Sequence, residues 1–306
     1  MDRLTEMQIY VAVAECEGFA AAARRLAISP PVATRAVAEL EARLGVKLLN
    51  RTTRYVRVTD AGQRYLEDAR RVIAAADEAD EAAIGVNSEP RGHLTVTAPV
   101  LFGRMYVMPG IVDYLQRFPA TDVSALFVDR IVNLLEEGVD VALRIGELDD
   151  SSFHALRVGS VRRVLCASPD YIARCGVPAH PDELAQHQLI VALNHGAGIE
   201  WRFMQQGKSQ ASRAPLSIRI KPRLNVTSND SAIDAAVRGL GITRVMSYQV
   251  AQELEQGKLK ILLAEFEPDI VPIHILHREG RYSSAKVRQF IDLLAERLRA
   301  NKSLNE

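Results

Sequence analysis

Residues 19–45, FAAAARRLAISPPVATRAVAELEARLG, leave the chain little choice of local structure. An alanine-rich helical stretch, apolar at Phe19, Ala22, Ala23 and Leu26, is followed two or three residues later by a helical pattern that opens on two prolines. Ser29 is a favourable N-cap, and its hydroxyl is expected to accept from the N–H of Val32. Pro30 and Pro31 fall in the first turn, where the N–H that proline lacks would have no intrahelical partner anyway. Ala33, Val37, Leu40 and Leu44 recur at i, i+4, i+7 and i+11, which predicts the buried face, and Gly45 predicts the end. The opposite face holds Pro31, Thr34, Arg35, Ala38 and Ala42. A solvated helix face would carry long Lys and Glu side chains; this one is small, with one hydroxyl and one cation, and lets something large come close. Two short helices joined so tightly form a helix-turn-helix.

The next stretch, VKLLNRTTRYVRVT, alternates Tyr55, Val56, Arg57 and Val58 as a half-buried strand would, with Thr52, Thr53 and Arg54 at a hairpin tip. A ribbon with a basic tip beside a helix-turn-helix reads as a wing. Thr59 caps a long helix predicted over 60–85. Leu66 and Ile73 share one heptad position, and Ala69, Ala76 and Ala83 share another. Alanines at a seam let helices approach closely, so these five residues are expected at a dimer interface. The alternative is an amphipathic helix lying on its own domain; the dimer is favoured because nothing else nearby offers this helix a core.

Charge adds a second hint. The 306-residue chain has no net charge, yet residues 20–59 carry eight basic side chains against two acidic ones, a local +6. Residues 61–89 carry three against seven, a local −4. Phosphate contacts need local charge, not a basic whole chain, although a plain solvated surface fits the same numbers. With 48% hydrophobic and 25% charged residues and no apolar run of membrane-spanning length, the composition is that of a globular, non-membrane protein. The opening MDRLTEMQIY has no signal-peptide apolar core, and Cys16, Cys166 and Cys175 form no disulfide pattern, so buried thiols and a cytoplasmic location are expected.

After a linker at 87–92 the pattern changes to α/β. Strand-like runs at 93–98, 122–128, 139–145, 162–168, 188–193, 223–228, 241–245 and 273–277 alternate with helical runs at 104–117, 130–137, 230–238, 247–255 and 283–299. So many βα units suit two linked lobes, with ligands expected beyond the carboxyl ends of the strands. No enzyme signature interrupts the pattern. GLGITR lacks a third glycine and follows a helix, whereas a dinucleotide fingerprint follows a strand. Walker A, HExxH and GxSxG motifs are absent. His274 and His277 would face opposite sides of one strand, and Trp201, the single tryptophan, reads as core or rim. Catalytic residues, metal and cofactor are all expected to be none.

The register of Ala22-Ala23, Leu26, Ser29, Arg35, Leu40-Glu41, Leu44-Gly45, Leu48, Arg51-Thr52, Thr59 and Ala61-Gly62 resembles the DNA-binding domain of LysR-type transcriptional regulators. GHLTVTAPVLFGRMYVMP, GVDVALRIGEL, VLCASPDYI and GLGITRV extend the resemblance over essentially the whole chain. Departures are Glu17-Gly18-Phe19 before the second helix, Pro30 where glutamine is frequent, and Leu49 where phenylalanine is frequent. A glutamine at 30 could read a base edge, so the departure bears on base preference.

The resemblance implies a winged helix-turn-helix over 1–59, a linker and dimerisation helix over 60–88, and a two-lobed effector domain over 89–306 that is like a periplasmic binding protein. One lobe would span about 89–163 and 268–306, the other about 164–267. It implies a homodimer or homotetramer that binds double-stranded promoter DNA, responds to a small-molecule effector and, as an activator, contacts RNA polymerase. Ser29, Pro30, Pro31, Thr34, Arg35, Arg51, Thr52 and Arg54 are the implied DNA-binding residues. Thr97, Pro99, Phe102, Asp129, Arg144 and Gly146 from one lobe, with Thr227 and Asn229 from the other, are the implied effector-binding residues. Hydroxyl and amide groups ahead of a helix suit a polar or anionic ligand. Arg144, a cation ending an apolar strand, needs a partner, either a ligand carboxylate or Asp129.

Overall fold

The computed structural model describes all residues except 52–55, 85–88, 149–152, 193–199, 207–212, 279–283 and 305–306. The chain divides into two compact units, Met1–Ser88 and Glu89–Glu306.

The first unit runs through helices α1 (Arg3–Glu15), α2 (Phe19–Arg25) and α3 (Pro30–Leu44). An antiparallel ribbon of β1 (Leu49–Arg51) and β2 (Val56–Val58) follows, then the long α4 (Asp60–Ile84). Ala22 and Ala23 are completely buried, which lets α2 and α3 pack closely around Tyr10, Val13, Val37 and Leu40. The buried face of α3 differs from the spacing prediction in its last turns. Ala33, Ala36, Val37, Leu40 and Glu41 are buried, whereas Leu44 remains 38% exposed. Gly45, left-handed at φ 70°, reverses the chain there, and Leu48 and Leu49 fill the core instead.

The first half of α4 packs on its own unit. Leu66 belongs to the core of its own unit, and Ala69 is buried one turn on, where Arg70 pairs with Glu15 of α1 at 2.8 Å. The absence of a nearby core, on which the seam reading rested, is therefore corrected: α1 provides one. Ile73 and Ala76 are only partly covered and Val72 is 46% exposed; the side chain of Ala83 lies outside the described residues.

The second unit begins with β3 (Gly92–Ala98), then α5 (Val100–Phe102), a π-helical stretch Gly103–Val107 and α6 (Met108–Arg117) in one continuous rod. It continues through β4 (Thr121–Phe127), β5 (Val141–Ile145) and β6 (His154–Val161), and crosses to β7 (Arg163–Ala167), α7 (Pro169–Cys175) and β8 (Leu189–Ala192). A hairpin of β9 (Glu200–Gln206) and β10 (Arg213–Arg219) precedes β11 (Leu224–Val226), α8 (Asn229–Val237), β12 (Ile242–Met246), α9 (Ala251–Glu255) and β13 (Lys260–Leu262). The chain then returns through β14 (Val271–His277) to α10 (Ala285–Ala300).

Two five-stranded sheets result, ordered β4-β3-β5-β14-β6 and β11-β8-β12-β7-β13. The chain passes between them at Arg162 and again near Glu267, and these two residues form an ion pair at 3.1 Å. All eight strand-like runs of the sequence are strands; β6, β9, β10 and β13 were not anticipated. The helix expected over 130–137 is a turn instead. Asn133 Oδ1 accepts from the N–H groups of Leu135 and Glu136, and Gly138, at φ 61°, ends the turn before a second can form.

Of the three cysteines, all free, only Cys166 is buried; Cys16 is half-buried and Cys175 exposed, which corrects the expectation for those two. Among the described residues no helix is long and apolar enough to cross a membrane, and no group of three His, Cys, Asp or Glu side chains could hold a metal.

Candidate functional site

The exposed face of α3 is built by its first turn. Ser29 has the extended N-cap conformation, but its hydroxyl makes no cap bond; the N–H groups of Val32 and Ala33 donate to its carbonyl at 3.0 and 3.2 Å. The expected side-chain cap is thus replaced by a backbone one, which leaves the Ser29 hydroxyl exposed and unbound to the cap. Pro30, Pro31, Thr34, Arg35 and Ala38 are all exposed beside it. The Thr34 hydroxyl donates to Pro30 O at 3.0 Å, which keeps its oxygen lone pairs on the outer surface. Arg35 Nε donates to Glu39 Oε1 at 2.7 Å, a pairing that the sequence reading of this face did not include.

The ribbon is fixed to α3 by a buried carboxylate. Glu41 accepts from Lys47 Nζ at 2.9 Å and from the N–H groups of Leu48 and Leu49 at 2.9 and 3.1 Å. Burial alone would raise its pKa, but the bonds from Lys47, Leu49 and Leu48 together outweigh it and hold the carboxyl below the usual range. The helix-turn-helix is tied further by Arg43 to the buried Glu6 at 2.7 Å and by the buried Tyr10 hydroxyl donating to Gly62 O at 2.9 Å. A Cβ at Gly62 would lie 2.1 Å from Leu48 O, so only glycine permits α4 to start this close to the ribbon. Arg51 pairs with Val56 in the ribbon, while Thr52 and Arg54 lie outside the described residues. Glu6 and Glu41 were missed as positioning residues because a lone glutamate in a helix normally reads as surface.

In the second unit the expected effector residues scatter among several roles. Thr97 is buried and its hydroxyl donates to Leu126 O at 2.7 Å. Pro99 stands at the N-cap of α5, and Phe102 is completely buried against the rings of Tyr106 and Tyr248. Asp129 accepts from Val100 N–H at 3.0 Å, so it holds the start of α5 and does not pair with Arg144. Arg144 donates to Val132 O at 2.9 Å, and burial lowers its pKa. Gly146, at φ 138°, follows it, with its N–H donating to Pro272 O at 3.0 Å. Thr227 is exposed and Asn229 opens α8, whose N-cap is Ser228. A cleft of about 270 Å³ lies nearby, walled by Leu101, Arg104 and Met105 on one side and by Asp230, Ile233 and Asp234 on the other. None of the eight expected residues lines it, although Leu101 and Asp230 are chain neighbours of two of them. His274 and His277 stand on one strand at an odd separation; His277 stacks on His154, with ring centroids 5.6 Å apart. Trp201 is core at 7% exposure.

A helix-turn-helix with a small exposed face and an adjoining ribbon, followed by a domain of two linked α/β sheets, defines a DNA-binding transcriptional regulator with a ligand-receiving domain. Known proteins agree. The model of the bacterial regulatory helix-turn-helix protein, lysR family, matches residues 4–63, and that of the LysR substrate binding domain matches residues 87–299. The HTH-type transcriptional regulator CrgA of Neisseria meningitidis serogroup B is 31% identical over 97% of this chain and 97% of its own. The solved structure of CrgA, a LysR-type transcriptional regulator, superposes with a TM-score of 0.61 over 98% of this chain and 100% of that one. The full-length virulence activator AphB of Vibrio cholerae superposes at 0.60, with 25% identity, over 96% and 99%. The chain belongs to the LysR-type transcriptional regulators. Members of this family bind DNA and small-molecule effectors and form oligomers.

Proposed function

We propose that this regulator recognises its promoter through α3 laid in the major groove. Ser29, Pro30, Pro31, Thr34 and Arg35 face the bases and their flanking phosphates, and Arg51, Thr52 and Arg54 of the ribbon contact the backbone. The observation that carries the reading is the exposed N-terminal half of α3, small enough to let the DNA approach and fixed at its start by two prolines. The protein acts in the cytoplasm as a homodimer or homotetramer and is not an enzyme. Its second unit takes a polar or anionic metabolite between two lobes, about 89–163 with 268–306 and about 164–267. Arg144 and the polar groups at Thr227 and Asn229 lie at the proposed site. Where the regulator activates, it contacts RNA polymerase.

Footprinting on the DNA upstream of its own gene tests this. The expected result is a short, dyad-related protected region that Thr34→Val makes less selective among sequences and Arg35→Ala weakens. Uniform protection of all DNA, or none, would overturn the reading, as would unchanged affinity and preference in both variants.

A further inference from the structure

The second sheet carries two arginines that have no anionic partner among the described residues. Arg163 opens β7 and Arg244 lies on β12, two residues before Met246, the register partner of Arg163. Directly opposed residues of an antiparallel pair share a face, so both guanidinium groups rise from the same face as diagonal neighbours. Arg244 stands over the rings of Trp201 and Phe203, at 5.9 and 5.4 Å from their centroids. Both rings are buried in the core that covers this face. Among the described residues neither arginine side chain has a hydrogen bond or an ion pair, and Arg244 Nε is buried with no acceptor. Burial lowers the pKa of both, that of Arg244 to about 9, with Arg163 beside it adding to the effect; Arg202 acts likewise on Arg163. Arg244 therefore remains charged at neutral pH.

Two like charges side by side at the edge of an apolar core, with Arg244 Nε buried and without an acceptor, destabilise the empty protein. Each guanidinium offers a planar fork of N–H donors suited to an oxyanion. Both residues keep partial exposure. Their place in the fold adds a second argument. Arg163 immediately follows the crossover residue Arg162, whose N–H and C=O bond Ser247 at 3.1 and 2.8 Å, and it stands level with the carboxyl end of β12. Ligands of open α/β sheets bind at such carboxyl ends.

The geometry points to an oxyanion-binding site on this sheet, formed by Arg163 and Arg244 with Trp201 and Phe203 as its floor, which takes the carboxylate or phosphate of a small molecule. It rests on the reading of the second unit as a ligand-receiving domain and assigns the anionic recognition there to this sheet, a different place from Arg144.

Thermal unfolding of the full-length protein tests the site, with benzoate as carboxylate probe, inorganic phosphate as phosphoryl probe and sodium chloride at equal ionic strength as control. One of the two probes is expected to raise Tm by about 2–4 °C above the chloride control, since a ligand that binds only the folded state shifts unfolding by mass action. Which of them does so distinguishes an organic carboxylate from a phosphate. Arg244→Met and Arg163→Met should abolish this rise and, by removing an unpaired charge, leave the Tm without probe equal to or above that of wild type. Arg244→Lys, which keeps the charge but not the fork, should weaken a carboxylate response more than a phosphate one. The site is overturned if wild type responds to neither probe beyond chloride, if both methionine variants keep the full response, or if both lose Tm in the absence of probe, which would make the pair structural. Footprinting with the effective probe added is a separate arm. A probe that binds through Arg244 without altering DNA protection would leave the site standing and sink only its link to promoter control.

Discussion

Arg35 and Glu39 are joined on the exposed side of α3, Nε donating to Oε1 at 2.7 Å, so the one cation near the start of the proposed DNA face already has an anionic partner on its own helix. The hydrogen bond from Arg35 holds the Glu39 carboxyl below the usual range. DNA and Glu39 therefore compete for the same guanidinium. Glu39→Gln should tighten binding to the selected operator by freeing Arg35 and by removing a negative charge that faces phosphates. Arg35→Ala should weaken binding and, where Arg35 reads a base edge, remove about 1–3 kcal/mol of discrimination. Titration of labelled operator and scrambled duplexes with each variant checks both directions; weaker binding by Glu39→Gln would show that the pair itself shapes the recognition surface.

Acid stability should depend on Glu41. Its folded pKa is depressed, so its contribution is fully present above the unfolded value of about 4.3 and is lost as pH falls through the lower folded value. Glu41→Gln keeps an acceptor for the N–H groups of Leu48 and Leu49 but loses the charge that Lys47 meets. The variant should be less stable by about 1–3 kcal/mol at neutral pH, and the difference should shrink below about pH 4. Denaturant titrations of both proteins at a series of pH values follow this; a gap that stays constant down to pH 3 would contradict it.

The Tyr10–Gly62 contact couples α1 to the first turn of α4. Tyr10→Phe removes a buried donor and the second bond to Gly62 O, which keeps its place in the helical ladder of α4, at a cost of about 0.5–1.5 kcal/mol. Gly62→Ala should be worse, because its Cβ would meet backbone at Leu48 O and not a side chain that can swing away. The expected ranking of melting temperatures is wild type, Tyr10→Phe, Gly62→Ala, and DNA affinity should fall in the same order as the ribbon loses its seat. An alanine variant as stable as wild type would place the start of α4 differently.

Local signals were legible where one residue type answers one constraint. Pro30 and Pro31 opened a helix, Gly45 ended it, and the Val- and Leu-rich runs became strands, most deeply buried at the centre of each sheet in β5 and β7. What stayed hidden needed partners distant in sequence. Glu41 counted as one acid among surface charges, since nothing local says that Lys47 and two amides will surround it. Among the described residues the strands β9 and β10 pair only with each other, and their sequence, interrupted by Arg202, Arg213 and Arg219, hides the alternation. The effector residues were the least legible. Arg144 ends an apolar strand as expected, but the choice between ligand and Asp129 omitted a backbone carbonyl, Val132 O, which is the partner it has.

The two halves of α4 should respond oppositely to mutation. Leu66 is 6% exposed within the core of its own unit, so Leu66→Ala should destabilise that unit by about 2–5 kcal/mol whatever the oligomeric state. Among the described side chains beyond Ala69 the cover is looser: Ile73 and Ala76 are partly buried and Val72, four residues before Ala76, is 46% exposed. This later stretch is where a second copy would pack. Ala76→Glu puts no charge into the protein's own core, so the melting temperature of the separated chain should hold. Across a close seam, however, two glutamates would face each other, and the oligomer should dissociate, with operator affinity falling as two half-sites lose their linkage. Sedimentation velocity of Leu66→Ala and Ala76→Glu beside wild type separates the cases. The proposed assignment requires a lower Tm with an intact oligomer for Leu66→Ala, and for Ala76→Glu a smaller particle whose Tm equals that of wild type diluted until it dissociates. If Ala76→Glu sediments as wild type does, the interface lies elsewhere on the chain and α4 serves only as a strut for its own helix-turn-helix.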